Sequence, residues 1–199
     1  MKGLVIKDLI NIKKDSKSYI LALGVYIMIS ASNENLDLMT GVICVLCTML
    51  PNVSFNSDEK VGWNTYAISS CINRKDIVKS KYILGLICSF IGFVASSIIS
   101  VINNGLYINS LTLPVVMWSV SIIALSLIIP ISLIMGVEKG RILITLLVVS
   151  PLVFSFDATR IVLSQELIKF VPMLCGLTAI FVFIISNIIC LGIYKNKEL

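Results

Sequence analysis

Apolar residues in this chain fall in long runs separated by short polar breaks, without the strict alternation of half-buried strands. Six runs stand out: Tyr19–Ser32, Leu36–Phe55, Tyr82–Ile102, Leu113–Met135, Ile142–Phe156 and Phe170–Tyr194. A helix needs about 20 apolar residues to cross the hydrocarbon core. Inside lipid, a chain satisfies its backbone groups by forming helix. The pattern therefore predicts an all-α membrane protein with six transmembrane helices. The first and fifth runs are short for a span, which calls for an earlier start or little tilt.

The segment before the first run has its own period. On a helical wheel Val5, Ile6, Leu9, Ile10 and Ile12 share one broad face, with Lys7, Asn11 and Lys14 opposite. This predicts an amphipathic interfacial helix over residues 1–17, with Lys7, Lys13 and Lys14 turned to anionic headgroups. A frayed start of the first span is the simpler alternative. No short apolar core with a small-residue cleavage site precedes the first run, so that span is expected to persist in the mature protein.

Residues 56–81 form the one sizeable polar insertion between runs. Ser57 followed by Asp58 and Glu59 reads as a helix start, with acid groups against the helix dipole. Trp63, Tyr66 and Ala67 then recur at i, i+3, i+4 and give that helix an apolar face. After the break at Ser69-Ser70-Cys71, Asn73 with Asp76 forms a capping-box pattern. It predicts a second helix running through Ile77 and Val78 into the third span. The segment 157–169 between the last two runs is partly apolar and fits either a short helix dipping into the outer leaflet or a plain surface loop.

Composition strengthens the membrane reading: 57% of residues are hydrophobic and 14% charged, with mean hydropathy +0.99. Soluble domains run at about 45–50% apolar and about 25% charged. With six spans, all of the 16 Lys and Arg except Arg160 and Lys169 fall on the side of the termini. By the positive-inside rule that side is the cytoplasm. The net charge of +5 thus marks orientation and a match to anionic lipid, and does not argue for nucleic acid.

The spans hold no Asp, Glu, Lys or Arg well inside, which argues against a proton-coupled carrier and leaves sodium sites built of backbone carbonyls open. They do hold small residues. Gly85, Ser89, Gly92 and Ser96 line the third run at four- and three-residue spacing, a stripe suited to close helix packing or to the wall of a polar path. Pro51, Pro130 and Pro151 lie in or at the ends of spans, where kinks serve either a moving or a static bundle. Cys44 and Cys47 form a C-x-x-C inside a run, where packing outweighs a redox or metal site. There is no histidine, no P-loop and no nucleophile-elbow motif, so catalytic residues and metal ligands are expected to be absent.

The polar insertion carries a family resemblance. Asp58-Glu59-Lys60, Trp63, Tyr66-Ala67-Ile68-Ser69, Ile72-Asn73-Arg74-Lys75-Asp76-Ile77-Val78 and Ser80-Lys81-Tyr82-Ile83-Leu84-Gly85 together resemble an ABC-2-type permease of the short Gram-positive bacterial kind. The start, Met1-Lys2-Gly3-Leu4 with Lys7-Asp8-Leu9, is similar as well. One departure is Cys71, which stands where proline is expected before the Ile-x-Arg-Lys run and leaves the turn conformation open.

The resemblance implies a permease subunit of an ATP-driven exporter in the bacterial cytoplasmic membrane, with both termini cytoplasmic. It implies a separate ATPase chain that binds ATP and Mg, none being bound by this chain, and a second permease copy in a dimer. It makes residues 1–17 an elbow helix and places 157–169 like outer re-entrant helices. It makes 56–81 a coupling loop, with Asp58, Glu59, Lys60, Trp63, Tyr66, Arg74 and Lys75 as ATPase-coupling residues. Trp63 and Tyr66 read alone fit a membrane-surface position equally well. Relatives of this size include phenol-soluble modulin and other peptide exporters, which suggests an amphipathic peptide or lipid-like substrate. A non-transporting anchor of an immunity or sensing complex and a secondary carrier are the rival readings.

Overall fold

The computed structural model describes residues 2–15, 17, 21, 24–25, 28, 36–69, 73–104, 111–136 and 165–196. The expected fifth span, most of the first and residues 157–164 of the outer segment lie outside the described residues. Among those described, every regular element is helical. They are α1 (Lys2–Asp15), α2 (Leu36–Val61), α3 (Trp63–Ser69), α4 (Arg74–Asn104), α5 (Thr112–Met135) and α6 (Gln165–Asn196). Four stretches are long and apolar enough to cross a membrane: Thr40–Val61, Lys75–Ile102, Thr112–Leu133 and Pro172–Ile193. They match the second, third, fourth and sixth expected runs.

Small residues set how closely α2 and α4 approach. A Cβ added at Gly92 would lie 2.8 Å from Cys47 Cβ, so the two backbones meet at a distance that only glycine permits. One turn away Cys44 Sγ donates to Ser96 Oγ at 3.4 Å. The pairing runs Cys44 with Ser96, Cys47 with Gly92 and Asp58 with Lys81, which makes α2 and α4 antiparallel. Gly85 faces the other neighbour, Leu125 and Ile129 of α5. Ser89 is buried and returns its hydroxyl to Leu86 O. The small-residue stripe is thus used on two sides of α4.

The remaining helices close around this pair. Phe93 stacks on Trp118 of α5 at 4.8 Å between ring centres. Tyr82 meets Phe183 of α6 edge to face at 5.3 Å, and its hydroxyl shares a 2.7 Å hydrogen bond with Ser186. Ser186 also donates to the Ser126 carbonyl of α5. Phe55, Val78, Tyr82, Ile129, Leu133 and Cys190 form the apolar cluster where all four long helices meet. Away from it α4 exposes Phe90, Ile91 and Ile98, and α6 exposes Met173, Leu177, Phe181 and Ile188. Water would penalise so much bare apolar surface, whereas hydrocarbon tolerates it.

Two boundaries differ from the sequence expectation. No helix starts at Ser57. Helix α2 continues through it to Val61: Ser57 Oγ bonds back to Val53 O and Asp58 pairs with Lys7 and Lys81, so neither faces the amides of a new first turn. The break falls instead at Gly62, whose φ of +64° suits the left-handed residue that ends a helix. The second start is where the Asn73–Asp76 pattern places it: Asp76 N and Ile77 N donate to Asn73 O, and α4 runs unbroken to Asn104. The last helix also begins earlier than expected, at Gln165, so residues 165–169 belong to it.

Candidate functional site: a charged lock at one end of the bundle

The C-terminal end of α2, the N-terminal end of α4 and the middle of α1 converge at one end of the bundle. Each brings charge. Lys81 Nζ lies 3.0 Å from Asp8 Oδ1 and 2.5 Å from Asp58 Oδ2, and donates to Ser54 Oγ at 3.0 Å. Ser54 Oγ in turn donates to Asp8 Oδ1 at 2.8 Å. Lys7 Nζ bridges the same two carboxylates, 2.6 Å from Asp58 Oδ1 and 3.0 Å from Asp8 Oδ1. The ring of Phe55 lies under the Lys81 ammonium at 4.9 Å, and that of Trp63 lies under Lys7 at 4.4 Å.

Burial makes this arrangement demanding. The side chains of Asp8, Lys81 and Asp58 are 1%, 3% and 5% exposed, and that of Lys7 is 24% exposed. An isolated ion at such depth would cost several kcal/mol, roughly, in lost hydration. Two ammoniums against two carboxylates sum to zero, and Lys81 spends its three donor positions on Asp8, Ser54 and Asp58. Three helices are therefore joined through a few polar atoms: α1 by Lys7 and Asp8, α2 by Ser54 and Asp58, α4 by Lys81.

The lock also changes the reading of α1. Its Lys7 does not point to headgroups as the helical wheel suggested. It turns inward, because Asp58 and Asp8 offer it two carboxylates. The outward face carries Ile6, Leu9 and Ile10 together with Lys13 and Lys14. Ile12 packs inward with Val53, Leu84 and Cys88.

Helix α3 is attached beside the lock. Ala67 is fully buried beneath it, while Tyr66 is exposed and its ring lies 5.5 Å from that of half-buried Trp63. The three residues thus do not form one apolar face; the alanine packs inward and the tyrosine projects. Lys60 and Glu59 are exposed at the end of α2, and Lys75 is exposed on the first turn of α4, which Arg74 opens. Glu59 reaches the end of α5, where a Cβ added at Gly136 would lie 2.5 Å from its Oε1.

Of the expected coupling residues, the structure sets Asp58 and Trp63 against Lys7. Glu59, Lys60, Tyr66 and Lys75 are exposed, Tyr66 with its ring against that of Trp63. Asp8 and Lys81 stand in the stretches that carry the family resemblance, but neither they nor Ser54 were expected as site residues. One signal existed: Asp8 is a carboxylate in a lysine-rich segment and Lys81 stands directly against an apolar run, so the two are opposite charges at the edge of the apolar spans.

Long apolar helices packed through small residues, with charge gathered at one end, define an integral membrane helix bundle. Among the described residues no cluster of His, Cys, Asp and Glu suits a metal ion. The chain belongs to the ABC-2 family transporter proteins, whose family model matches residues 3–195. It is therefore the membrane permease component of an ABC transporter, a transport subunit of a family that works with ABC ATPases. No curated protein and no solved structure matches the chain.

Proposed function

We propose that this permease forms the membrane path of an exporter for amphipathic peptides or similar lipid-like molecules, driven by a separate ATPase chain that docks on α3. The observation that carries the docking is the exposed Tyr66 beside Trp63, on a short helix fixed by buried Ala67, with exposed Glu59, Lys60 and Lys75 before and after it in sequence. Aromatic side chains with a polar tip are favoured anchors at protein interfaces, and rim charges set register and encounter. The lysines at this end support a cytoplasmic placement of it.

Two copies of the permease complete the path, since so small a bundle needs a partner about a two-fold axis. ATP and Mg are bound by the partner ATPase. Closure of the ATPase pair favours one arrangement of α3 over another, and the bundle follows only to the extent that the two states differ in contact energy. The apolar, uncharged spans support an amphipathic cargo over a sugar or an ion.

The test is the permease–ATPase complex in liposomes. Trp63→Ala combined with Tyr66→Ala is expected to leave insertion intact while abolishing stimulation of ATP hydrolysis by the permease. Unchanged stimulation and unchanged peptide export in that variant would sink the docking assignment. Export with no response to any amphipathic peptide would remove the cargo assignment alone.

A further inference from the structure

We propose that Lys7 is a positioning residue that carries displacement of α3 into the membrane helices. The inference rests on the docking of the ATPase on α3. Its ground is the geometry of one ammonium. Lys7 Nζ sits 4.4 Å over the Trp63 ring of α3, 2.6 Å from Asp58 of α2 and 3.0 Å from Asp8 on its own helix. Its contacts join the aromatic pair to the buried carboxylates.

The two lysines of the lock divide the work. Lys81 is enclosed, with its donors on Asp8, Asp58 and Ser54, and Phe55 beneath. It keeps both carboxylates partnered whatever α3 does. Lys7 is the outer member, partly exposed, and shares its charge between an ion pair and an aromatic face. A cation over a ring is held most firmly where water is partly excluded. When α3 shifts, Lys7 either follows Trp63 and loosens its hold on Asp58 or keeps Asp58 and loses the ring. Either change reaches α2 and α4, because Asp58 is bonded to Lys81. The N-terminal helix thereby belongs to the coupling path as well as to the membrane surface.

The experiment uses the reconstituted complex and three readouts: permease recovered, ATPase co-purified, and stimulation of ATP hydrolysis by the permease. Lys7→Met should insert and retain the ATPase, since Lys81 still partners both carboxylates. Its stimulation should fall about five- to thirtyfold, the span of a modest coupling energy. Lys7→Arg keeps the charge and the reach to ring and carboxylate, and should hold stimulation within about twofold of the parent. Combining Lys7→Met with Trp63→Leu should add little to either single loss.

A purely structural role predicts something different: less permease recovered in proportion to lost stimulation, and no rescue specific to arginine. That outcome, or parental stimulation by Lys7→Met, overturns the inference. If Lys7→Met does not insert, Lys7→Gln decides, since it keeps a polar group toward Asp58 and gives the Trp63 ring no cation. Loss of stimulation with the ATPase still bound supports the inference, and full stimulation overturns it. Tyr66→Ala separates the two claims: if it leaves ATPase binding unchanged, the docking reading has failed, whereas lost binding beside a parental Lys7→Met defeats this inference alone.

Discussion

Replacing Lys81 by methionine keeps most of the stem and removes the ammonium. The consequence can be worked from the lock. Asp8 and Asp58, almost fully enclosed, would be left with Lys7 as the cation between them, and the enclosed charge would change from zero to −1. Removing one partner of a buried pair costs about 3–5 kcal/mol, because the charge left behind is neither hydrated nor matched. Lys7 persists and is partly wet, so the lower end applies, about 3 kcal/mol, or roughly a hundredfold in the folding equilibrium. Ser54 also loses the ammonium that donates to its hydroxyl.

The measurement is unfolding of purified permease in mixed micelles titrated with a denaturing detergent. The same titration is run for Asp58→Asn and for the double variant. The double variant removes one positive and one negative charge and leaves Lys7 with Asp8. It should therefore be more stable than the sum of the single losses by about 1–3 kcal/mol, the range of coupled neighbours. A loss below about 1 kcal/mol for Lys81→Met, the value of an exposed pair, would refute the buried lock. Additivity of the two single losses would refute the direct partnership of Lys81 with Asp58.

Three further outcomes follow from the packing. Gly92→Ala puts a methyl 2.8 Å from Cys47 Cβ and should cost about 1–3 kcal/mol in the same titration. Adding Cys47→Ala should not restore it, because the clash is with the Cβ. Gly136→Ala should cost about 1–3 kcal/mol, because φ +80° with ψ 161° is a glycine conformation; the nearby Glu59 carboxylate can move aside. Tyr82→Phe removes the hydroxyl from Ser186 but leaves the bond from Ser186 to the Ser126 carbonyl, so its loss should stay near one hydrogen bond, about 0.5–1.5 kcal/mol.

The long helices were readable because lipid reduces the problem to run length: α2, α4, α5 and α6 cover the apolar runs that announced them. The start of α4 falls where the Asn73–Asp76 pattern placed it, with the backbone amides of Asp76 and Ile77 on the Asn73 carbonyl. The end of α2 was not readable. Ser57-Asp58-Glu59 has the composition of a helix start, yet Asp58 is committed to residues 51 positions before it and 23 after it. No local rule sees such partners. The same holds for Lys7, which a helical wheel sorts by periodicity alone. The stripe from Gly85 to Ser96 was visible as spacing, but which helix filled each gap depended on the packing of Cys44, Cys47 and Leu125.

The lock makes more sense as a device of position than of stability. A buried ion cluster replaced by well-packed apolar residues is often no less stable, so its net worth in folding is small. Position is another matter in a membrane. Ile6 and Ile10 on the outer face of α1 are as well accommodated by acyl chains as by a helix, so the hydrophobic effect gives α1 little reason to prefer one place along the bundle. The pairing of Lys7 and Asp8 with Asp58 and Lys81 supplies that reason, since sliding by one turn would separate enclosed charges. A contact that is cheap to hold and costly to misplace suits a helix that must keep register with a moving neighbour. In the coupling proposed above that neighbour is α3, whose Trp63 ring lies 4.4 Å from Lys7 Nζ.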